Sequence, residues 1–384
     1  MVDAYIYGAT RTPIGKRGGL LADTRPDELA GANLKALAEN IDLNPAEIED
    51  VVMGCVTQVD EQGINIGRVA GLIAGYPVTT TGTTVNRMCG SSLQAVNFAA
   101  QGVMSGMHDL VVGAGVESMS RVPMGSDMGP LSDELTDRYD IIQQGLSAEL
   151  IAEKWGFTRE ELDKMALDSH LRALNAIDEG YFEEEITPVK VEFNGDHVTV
   201  DTDEGPRRGS TLEKIAGLDP AFKKDGVVTA ATSCQISDGA ASVLIGTKDK
   251  GDELGLTPRA KFRSMALAGV DPTIMLTGPI PATEKALDKA GLEFGDIDLF
   301  EVNEAFAPVV RAWATEMPED LDAVWEKTNV NGGAMALGHP LGCSGARLLV
   351  TLLAEMERRD VRFGLATLCI GFGQAVATVI DREV

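Results

Sequence analysis

Aromatic side chains are scarce in this 384-residue chain: Phe, Trp and Tyr make up 5% of the residues, whereas glycine occurs 42 times. Many positions are therefore chosen for tight turns or close backbone approach rather than for bulk. The hydrophobic content of 44% suffices for an ordinary core, and the length fits about two or three structural units. The composition favours packed α/β layers.

A long uninterrupted apolar run is also missing. The longest run, from Leu365 to Ile380, is broken by Gly371, Gly373 and Gln374, and it is too short to cross a bilayer comfortably. A buried strand pair is expected there instead. The amino-terminal MVDAYIYGATRTPIG has no apolar stretch followed by a cleavage site, so neither export nor a membrane partner is expected.

Cysteine and histidine are few and scattered. The five cysteines are an odd number without a CxxC pair, which argues against a disulfide framework or a structural zinc site. His108, His170 and His197 stand in no ligand-like cluster, so no metal is expected. The cysteine pattern predicts a reducing compartment, the cytoplasm.

Positive charge is in short supply, with 33 basic against 59 acidic residues and a net charge of −26. Repulsion makes nucleic acid or an anionic membrane an improbable partner. The acidic residues are dispersed along the chain, and this has two interpretations. They form a solvated surface that aids solubility, or they are an adaptation to a salt-rich cytoplasm. We favour the second, a halophilic origin, because salt would screen the self-repulsion of so large an excess.

Strand and helix patterns alternate along the chain. Short Val- and Ile-rich strands are predicted at 4–9, 50–56 and 110–114, with a helix from about Ala30 whose capping box would be Thr24 and Asp27. The stretch from about 121 to 250 is more charged and reads as an inserted subdomain, after which the α/β pattern resumes.

The chain repeats itself. TTVNRMCGSSLQAV and TNVNGGAMALGHPLGCSGARLL share a Val-Asn opening and a Cys followed by small residues and an apolar helix. From Cys89 to the strand at Val111, and from Cys343 to the strand at Leu365, the spacing is 22 residues in both cases. This pattern predicts a duplicated unit.

Cys89 opens the small and apolar run CGSSLQAVNFAAQGVMSG, which predicts a buried helix with the cysteine at its amino end. Free N–H groups and the helix dipole would stabilise a thiolate and lower its pKa there. The alternative is a packed core cysteine. The surrounding motifs favour a nucleophile.

His339 stands in the glycine-rich NGGAMALGHPLGCSGAR, a composition that indicates close approach to the backbone rather than core packing. A histidine at this loop-to-helix junction can act as a base toward a thiol or donate to an oxyanion. The alternative, a histidine in an ordinary turn, is weaker.

Two further motifs carry polar or reactive groups. In LATLCIGFGQAVATVI a strand ends at Cys369, and Gly371 in the following turn can present its N–H to a substrate. Asn303, in VNEAFA, could hold a water or a carbonyl oxygen or simply cap a helix. The neighbouring Glu304 could orient His339 or a loop.

In their order and spacing, ATRTPIGKRGG, NRMCGSS, GVESMS, SDGAA, VNEAFA, NGGAMALGHPLGCSGAR and CIGFGQ resemble the thiolase family over nearly the whole chain. The resemblance implies a duplicated α/β fold of five layers, α-β-α-β-α, with an inserted loop domain that binds coenzyme A. It predicts a first part of the N-terminal half at 1–120, the loop domain and the last strands of that half at 121–250, and a C-terminal half at 251–384.

The resemblance also implies a function in fatty acid metabolism: reversible acyl transfer between coenzyme A thioesters through an acyl group on Cys89. His339 would activate Cys89, Cys369 would move the α-proton, and Asn303 would position a water beside His339. The N–H groups of Cys89 and Gly371 would form the oxyanion hole. Coenzyme A thioesters, among them acetyl-CoA, would be substrates, with no permanently bound cofactor and a homodimer or homotetramer as the assembly.

Residues matching the family's coenzyme A path are Arg207, Ala230, Met275 and Phe306. Two departures concern the same path. Cys234 replaces a serine whose hydroxyl binds the pantetheine arm, and Gln143-Gln144 replaces the His-Met pair of short-chain members, which changes the shape and polarity of the acyl pocket.

Two rival functions have to be weighed. A decarboxylating ketoacyl synthase shares the fold and a nucleophilic cysteine, but Cys369 in CIGFG argues against it. A thiolase-like lipid-binding protein without catalysis is the second alternative, and the presence of both cysteines, His339 and Asn303 in matching contexts argues against that.

Overall fold

The computed structural model of the chain describes residues 2–193 and 195–384. The strands are β1 (Tyr5–Arg11), β2 (Gly15–Lys16), β3 (Asp50–Gly54), β4 (Thr81–Val85), β5 (Leu110–Ser118), β6 (Val189–Phe193), β7 (Asp196–Val200), β8 (Ser237–Gly246), β9 (Ala260–Gly269), β10 (Leu299–Val302), β11 (Phe363–Ile370) and β12 (Gln374–Asp381). The helices are α1 (Pro26–Glu39), α2 (Ile66–Ile73), α3 (Ser91–Ser105), α4 (Asp133–Thr136), α5 (Gln144–Trp155), α6 (Arg159–Asp178), α7 (Leu212–Ala216), α8 (Lys248–Leu254), α9 (Pro279–Ala290), α10 (Ala307–Glu316), α11 (Leu321–Glu326), α12 (Ala334–Leu337) and α13 (Leu341–Arg359).

The strands form two arrays with the same order. In the first half the order is β4-β3-β5-β8-β1, with β3 parallel to β4 and β5, and β8 antiparallel to β5 and β1. In the second half the order is β10-β11-β12-β9, with β10 parallel to β11, and β12 antiparallel to β11 and β9. A parallel bridge from Phe300 to Thr328 occupies the place of β4. The predicted duplication is confirmed.

The two arrays meet at a short junction. Tyr5 pairs with Lys261 and Ile6 with Ala260, which joins β1 to β9. Between the arrays lie α3 and α13, two largely buried helices whose close contact includes a hydrogen bond from the Ala346 N–H to the Ser92 hydroxyl oxygen at 2.9 Å. This contact makes the two halves one packed unit.

The outer helices complete five layers. Helices α1 and α2 pack on the outer face of the first array, and α9 packs on the outer face of the second. The layer order is therefore helix, sheet, helix pair, sheet, helix, and the fold class predicted from the sequence is confirmed. The apolar run 365–380 is the antiparallel hairpin of β11 and β12, also as expected.

Residues 119–236 leave the first array after β5 and return at β8, the strand beside it. They carry α4 to α7 and the β6–β7 hairpin, and buried ion pairs tie them to β1. The Arg11 guanidinium binds the Glu185 carboxylate at 2.5 Å and the Asp203 carboxylate at 2.7 Å. The division at 120 and 250 stays a prediction. Within the described residues, no helix is both long and apolar enough to span a membrane.

The expected capping box of the first helix is wrong. Arg25 is the N-cap of α1 and Pro26 follows at the first position, where its missing N–H costs nothing. The Asp27 carboxylate instead binds the Arg25 guanidinium at 2.8 and 3.0 Å and accepts the Glu28 N–H at 3.0 Å.

Candidate active site

Cys89 lies between β4 and α3, two positions before the first helical residue, Ser91. Met88 has a left-handed backbone, with φ of 45°. The Ser91 hydroxyl closes this turn, because it accepts the Arg87 N–H at 2.9 Å and donates to the Met88 carbonyl at 2.6 Å. The thiol is thereby held, 4% exposed, beside the first turn of a buried helix.

The pKa of the Cys89 thiol is raised by burial to about 11. Hydrogen bonds from the N–H groups of Gly371 and of Cys89 itself, and from the Gln144 side chain, lower the pKa but do not outweigh burial. The expectation of a lowered pKa is therefore wrong. The thiol is protonated at neutral pH and has to lose its proton to a base before it can attack.

Cys369 lies at the end of β11, opposite Ala375 of β12. Phe372 and Gly373 have φ of 60° and 77° and form the turn between the strands. Burial, and then the neighbouring Cys89 and Cys234, raises the pKa of Cys369 well above its ordinary value. Three sulfur atoms from distant parts of the chain therefore influence one another in one region.

Gly371 brings the hairpin turn against Cys89. A Cβ atom at Gly371 would lie 3.0 Å from both the Gln144 Nε2 and the Met88 Sδ. Only glycine leaves these neighbours undisturbed while its N–H points at the Cys89 sulfur. The N–H groups of Gly371 and Cys89 both act on the Cys89 thiol. An oxyanion hole needs two such donors beside the carbonyl carbon that the sulfur attacks.

His339 is buried, and its tautomer follows from its neighbours. The Ser344 hydroxyl donates its one hydrogen to the Pro340 carbonyl at 2.8 Å and lies 2.5 Å from the His339 Nδ1. The hydroxyl oxygen must therefore accept from Nδ1–H, which leaves a lone pair on Nε2. Burial and then the positive Arg347 lower the pKa of His339 to about 3. The imidazole is neutral and able to take a proton.

Asn303 follows β10 and is anchored by its N–H, which donates to the Thr367 carbonyl at 3.0 Å. Its Nδ2 lies 3.4 Å from the His339 Nε2. Its Oδ1 is buried and has no hydrogen-bond partner among the described residues. The amide therefore offers a free acceptor beside the imidazole.

Glu304 supports a loop rather than His339. Its carboxylate accepts hydrogen bonds from the Ser169 hydroxyl at 2.6 Å, the Asn329 side chain at 3.0 Å and the Met335 N–H at 3.2 Å. Of the two interpretations of Glu304, the contacts favour the loop. The residue in contact with the His339 Nδ1 is Ser344, which sequence reasoning missed although it stands in the same motif, GHPLGCSG.

The residues assigned to coenzyme A fall into an inner and an outer group. Met275 and Phe306 are buried in one apolar cluster with Cys369. Cys234 and Gln144 are half-buried. Gln144 lowers the pKa of Cys89 by hydrogen bonding, and Cys89 contributes to the raised pKa of Cys234.

The outer group lies on the surface. Arg207, Ala230 and Gln143 are exposed, and the Arg207 N–H lies 3.3 Å from the His170 Nδ1. Two nearby cations are paired with acids: Arg208 with Asp178 at 2.5 Å, and Lys223 with Glu153 at 3.5 Å.

Family profiles match almost the entire chain. The profile for "Thiolase, N-terminal domain" matches residues 4–249, and the profile for "Thiolase, C-terminal domain" matches residues 256–382. Among curated proteins, a steroid 3-ketoacyl-CoA thiolase of Mycobacterium tuberculosis is 46% identical over 395 residues, covering 100% of this chain and 95% of the relative. A 3-ketoacyl-CoA thiolase of Idiomarina loihiensis is 46% identical over 392 residues, covering 100% of both chains.

Solved structures agree. The Bacillus anthracis acetyl-CoA acetyltransferase superposes with a TM-score of 0.92 at 40% identity, covering 99% of each chain. Human mitochondrial 3-ketoacyl-CoA thiolase superposes with a TM-score of 0.90 at 38% identity, covering 100% of this chain and 99% of the other. On profiles, relatives and structures together, this chain belongs to the thiolase family.

Proposed function

We propose that this thiolase transfers acyl groups between coenzyme A thioesters through an acyl-enzyme at Cys89. The observation that carries the assignment is the close approach of the Gly371 turn to Met88, the residue before Cys89. The N–H groups of Gly371 and Cys89 both lower the pKa of the Cys89 thiol. A neutral imidazole with a lone pair on Nε2, that of His339, supplies the base that a buried thiol needs.

In thiolytic cleavage, the Cys89 proton passes to the His339 Nε2 and the sulfur attacks C3 of a 3-ketoacyl-CoA. The N–H groups of Cys89 and Gly371 hold the resulting oxyanion. The C2–C3 bond then breaks, and the Cys369 thiol protonates the departing enolate to give acetyl-CoA.

The second half-reaction restores the enzyme. The thiol of a second coenzyme A gives its proton to the Cys369 thiolate and attacks the acyl carbon. Cys89 leaves as a thiolate and recovers its proton from the His339 imidazolium, releasing an acyl-CoA. The reverse sequence is a Claisen condensation with acetyl-CoA, in which Cys369 removes a methyl proton. Asn303 would position a water beside His339, with its free Oδ1 accepting a hydrogen bond from that water.

The direct test is a coenzyme A-dependent cleavage assay on 3-ketoacyl-CoA thioesters of increasing chain length, with intact-mass detection of acylated Cys89. We expect cleavage, and a mass increase equal to the acyl group. The names of the relatives, which include straight-chain and steroid 3-ketoacyl-CoA thiolases, support this substrate class. Failure to cleave any such thioester would overturn the proposal.

The choice of second substrate and the acylation of the enzyme separate this proposal from the two alternative functions. A decarboxylating ketoacyl synthase would condense malonyl-CoA with release of carbon dioxide, whereas we expect acetyl-CoA to serve as the second substrate. An inactive lipid-binding thiolase would neither cleave nor become acylated. A buried Cys369 beside Cys89 supports the proton transfer that acetyl-CoA requires and malonyl-CoA does not.

For coenzyme A we propose a path from Arg207 and Ala230 at the surface, past Cys234, to Met275 and Phe306 beside Cys369, with Gln143 and Gln144 at the acyl end. Residues 121–250 would form the loop domain that supplies most of this path. Arg207→Glu should raise the Michaelis constant for coenzyme A with little change in kcat. Arg208→Glu is the matched control, because Arg208 is already paired with Asp178.

We also propose a cytoplasmic homo-oligomer from a halophilic organism, on the strength of the net charge of −26. Uncompensated negative charge repels itself in dilute buffer, and molar salt screens it. Activity and sedimentation should therefore both be measured from 0.05 to about 3 M KCl. Full activity and an unchanged assembly after dialysis into low salt would contradict the halophilic proposal.

A further inference from the structure

The side chain of Gln144 lies at the reacting sulfur. Gln144 is the first residue of α5, and its Nε2 would lie 3.0 Å from a Cβ on Gly371, so the amide lies against the turn that follows Cys369. Gln144 is also one of three groups whose hydrogen bonding lowers the pKa of the Cys89 thiol. The neighbouring Gln143, in contrast, is exposed and makes no side-chain capping bond.

The start of α5 is firmly held. Gly145 packs so closely against the Phe222 ring that a Cβ there would come within 2.2 Å of it. The Glu149 carboxylate, one turn further along, accepts the N–H groups of Val227 and Val228, both at 2.9 Å. The backbone that carries Gln144 is therefore anchored on two sides, which limits the positions its amide can take.

A neutral N–H donor acts differently on the two forms of the nucleophile. A thiolate carries a full charge and accepts a hydrogen bond strongly, whereas a thiol or a thioester sulfur accepts weakly. An amide held at the sulfur therefore favours the ionised form at the moment His339 takes the proton. This help is needed here because the surroundings of Cys89 are buried and disfavour charge.

We propose that Gln144 is a further catalytic residue, whose side-chain N–H stabilises the Cys89 thiolate as the S–H proton moves to His339 and the bond from sulfur to the acyl carbon forms. The inference rests on the proposed function, in which Cys89 is the nucleophile. Once the acyl group is attached, the sulfur becomes a thioester and the hydrogen bond weakens, so that the benefit is confined to the attacking form.

The test compares Gln144→Met, which keeps the length of the side chain and removes its donor, with the control Gln101→Met, at an exposed glutamine of α3 that has no part in the proposed site. The first measurement is the rate of Cys89 alkylation by iodoacetamide between pH 7 and 10, followed by peptide mass mapping. The rate follows the thiolate fraction, so Gln144→Met should react roughly threefold to tenfold more slowly at each pH. Gln101→Met should match the wild type.

The second measurement is the first-turnover rate of Cys89 acylation by a 3-ketoacyl-CoA. We expect a fall of about tenfold to a hundredfold in Gln144→Met, with the Michaelis constant for coenzyme A unchanged. If Gln144→Met does not fold, as judged by circular dichroism, Gln144→Leu serves in its place. Alkylation and acylation rates equal to those of the wild type, or equally reduced in Gln101→Met, would overturn the proposal.

Alkylation needs no coenzyme A thioester, and this separates the two levels of inference. If no thioester acylates the wild-type enzyme, the proposed function fails, and the alkylation profile still decides whether Gln144 stabilises the thiolate. If acylation occurs and the Gln144→Met profile does not move, the proposed function stands and the role of Gln144 falls.

Discussion

The two halves of the molecule differ at one equivalent position near the end of a central strand, which is Glu117 in the first half and Gly371 in the second. We call the surroundings of this position the corner. The 22-residue spacing makes Val111 and Leu365 equivalent. Six residues further along the chain lie Glu117, near the end of β5, and Gly371, directly after β11. In the first half, the Glu117 carboxylate fills the corner. In the second half, Gly371 leaves it open.

The contacts of Glu117 show what the filled corner does. Its carboxylate accepts the N–H groups of Val56 at 2.9 Å, Thr57 at 3.1 Å and Gly342 at 2.8 Å, as well as the Gln62 side chain at 2.7 Å. These donors are satisfied within the protein and are not available to a ligand. In the first half, the corner therefore stabilises the fold.

The equivalent contact in the second half is between Gly371 and Met88. Gly342 precedes Cys343 as Met88 precedes Cys89, and a Cβ on Gly371 would lie 3.0 Å from the Met88 Sδ. Without a carboxylate, the Met88 N–H donates to the Asn86 Oδ1 at 2.8 Å, and the Gly371 N–H lowers the pKa of the Cys89 thiol. Duplication thus left a buried acceptor at this position in one half and a backbone donor in the other.

The largest effect should come from exchanging the equivalent cysteines for alanine. Cys89→Ala removes the proposed nucleophile and should lower cleavage by about 10⁴-fold or more, with no acyl-enzyme by intact mass. Cys343→Ala, in the buried first turn of α13, should retain activity and lose roughly 1–2 kcal/mol of stability in denaturant unfolding. A folded and active Cys89→Ala variant would contradict the proposed difference between Cys89 and Cys343.

The next largest effect separates the two proposed roles of sulfur. In Cys369→Ala, Cys89 and His339 remain, so a thioester should still acylate Cys89, whereas condensation with acetyl-CoA should fall by about 10²- to 10⁴-fold. Intact mass and exchange of the acetyl methyl protons in deuterated water measure the two steps separately. Condensation or methyl exchange at the wild-type rate would assign the α-proton to another base, with His339 as the first candidate.

The corner itself can be tested with one alanine in each half. Gly371→Ala places a methyl group against the Gln144 amide and should reduce kcat by roughly tenfold to a hundredfold in a protein of normal stability. Glu117→Ala leaves several buried N–H groups without an acceptor and should cost about 3–5 kcal/mol in the free energy of unfolding. The comparison would be wrong if the two variants showed the same balance of lost activity and lost stability.

The smallest effect concerns pH. A base works only while it is unprotonated, and the pKa of His339 is lowered to about 3 by burial and Arg347. Activity should therefore persist to well below pH 6.5 and decline only as the pH approaches the lowered pKa. Measurements of kcat/KM from pH 4 to 9, with circular dichroism to confirm folding, test this. A decline centred near 6.5 in folded enzyme would show that the imidazole is not shielded.

Features that depend on residues close together in the sequence could be predicted. A short Val-rich run located β5, a run of small and apolar residues located α3, and the repeated Val-Asn and Cys motifs revealed the duplication. The glycines around His339 predicted a close approach to the backbone, and a Cβ on Gly345 would lie 2.4 Å from the Leu93 N. The first helix was placed correctly, but its start was not, because Pro26 outweighed the apparent capping box.

Features that depend on three-dimensional neighbours were not predictable from one sequence. The helix terminus at Cys89 indicated a lowered pKa, but burial by residues far along the chain raises it instead. The Gln144 amide lies near Cys89 although it belongs to another helix. The sequence QQGLSAE alone does not predict that this amide donates a hydrogen bond to the thiolate. The roles of Ser344 and Glu117 needed the contacts of their side chains, although both stand in conspicuous motifs.

The burial of α3 against α13 has a consequence for synthesis on the ribosome. About 250 residues separate the two helices, and at roughly 5–20 residues per second the partner of α3 appears some ten to fifty seconds later. During that interval the apolar face of α3 has no native cover, so the nascent first half should be a ligand for chaperones. A ribosome-arrested chain ending near residue 250 should accordingly be more sensitive to protease at α3 than the released protein.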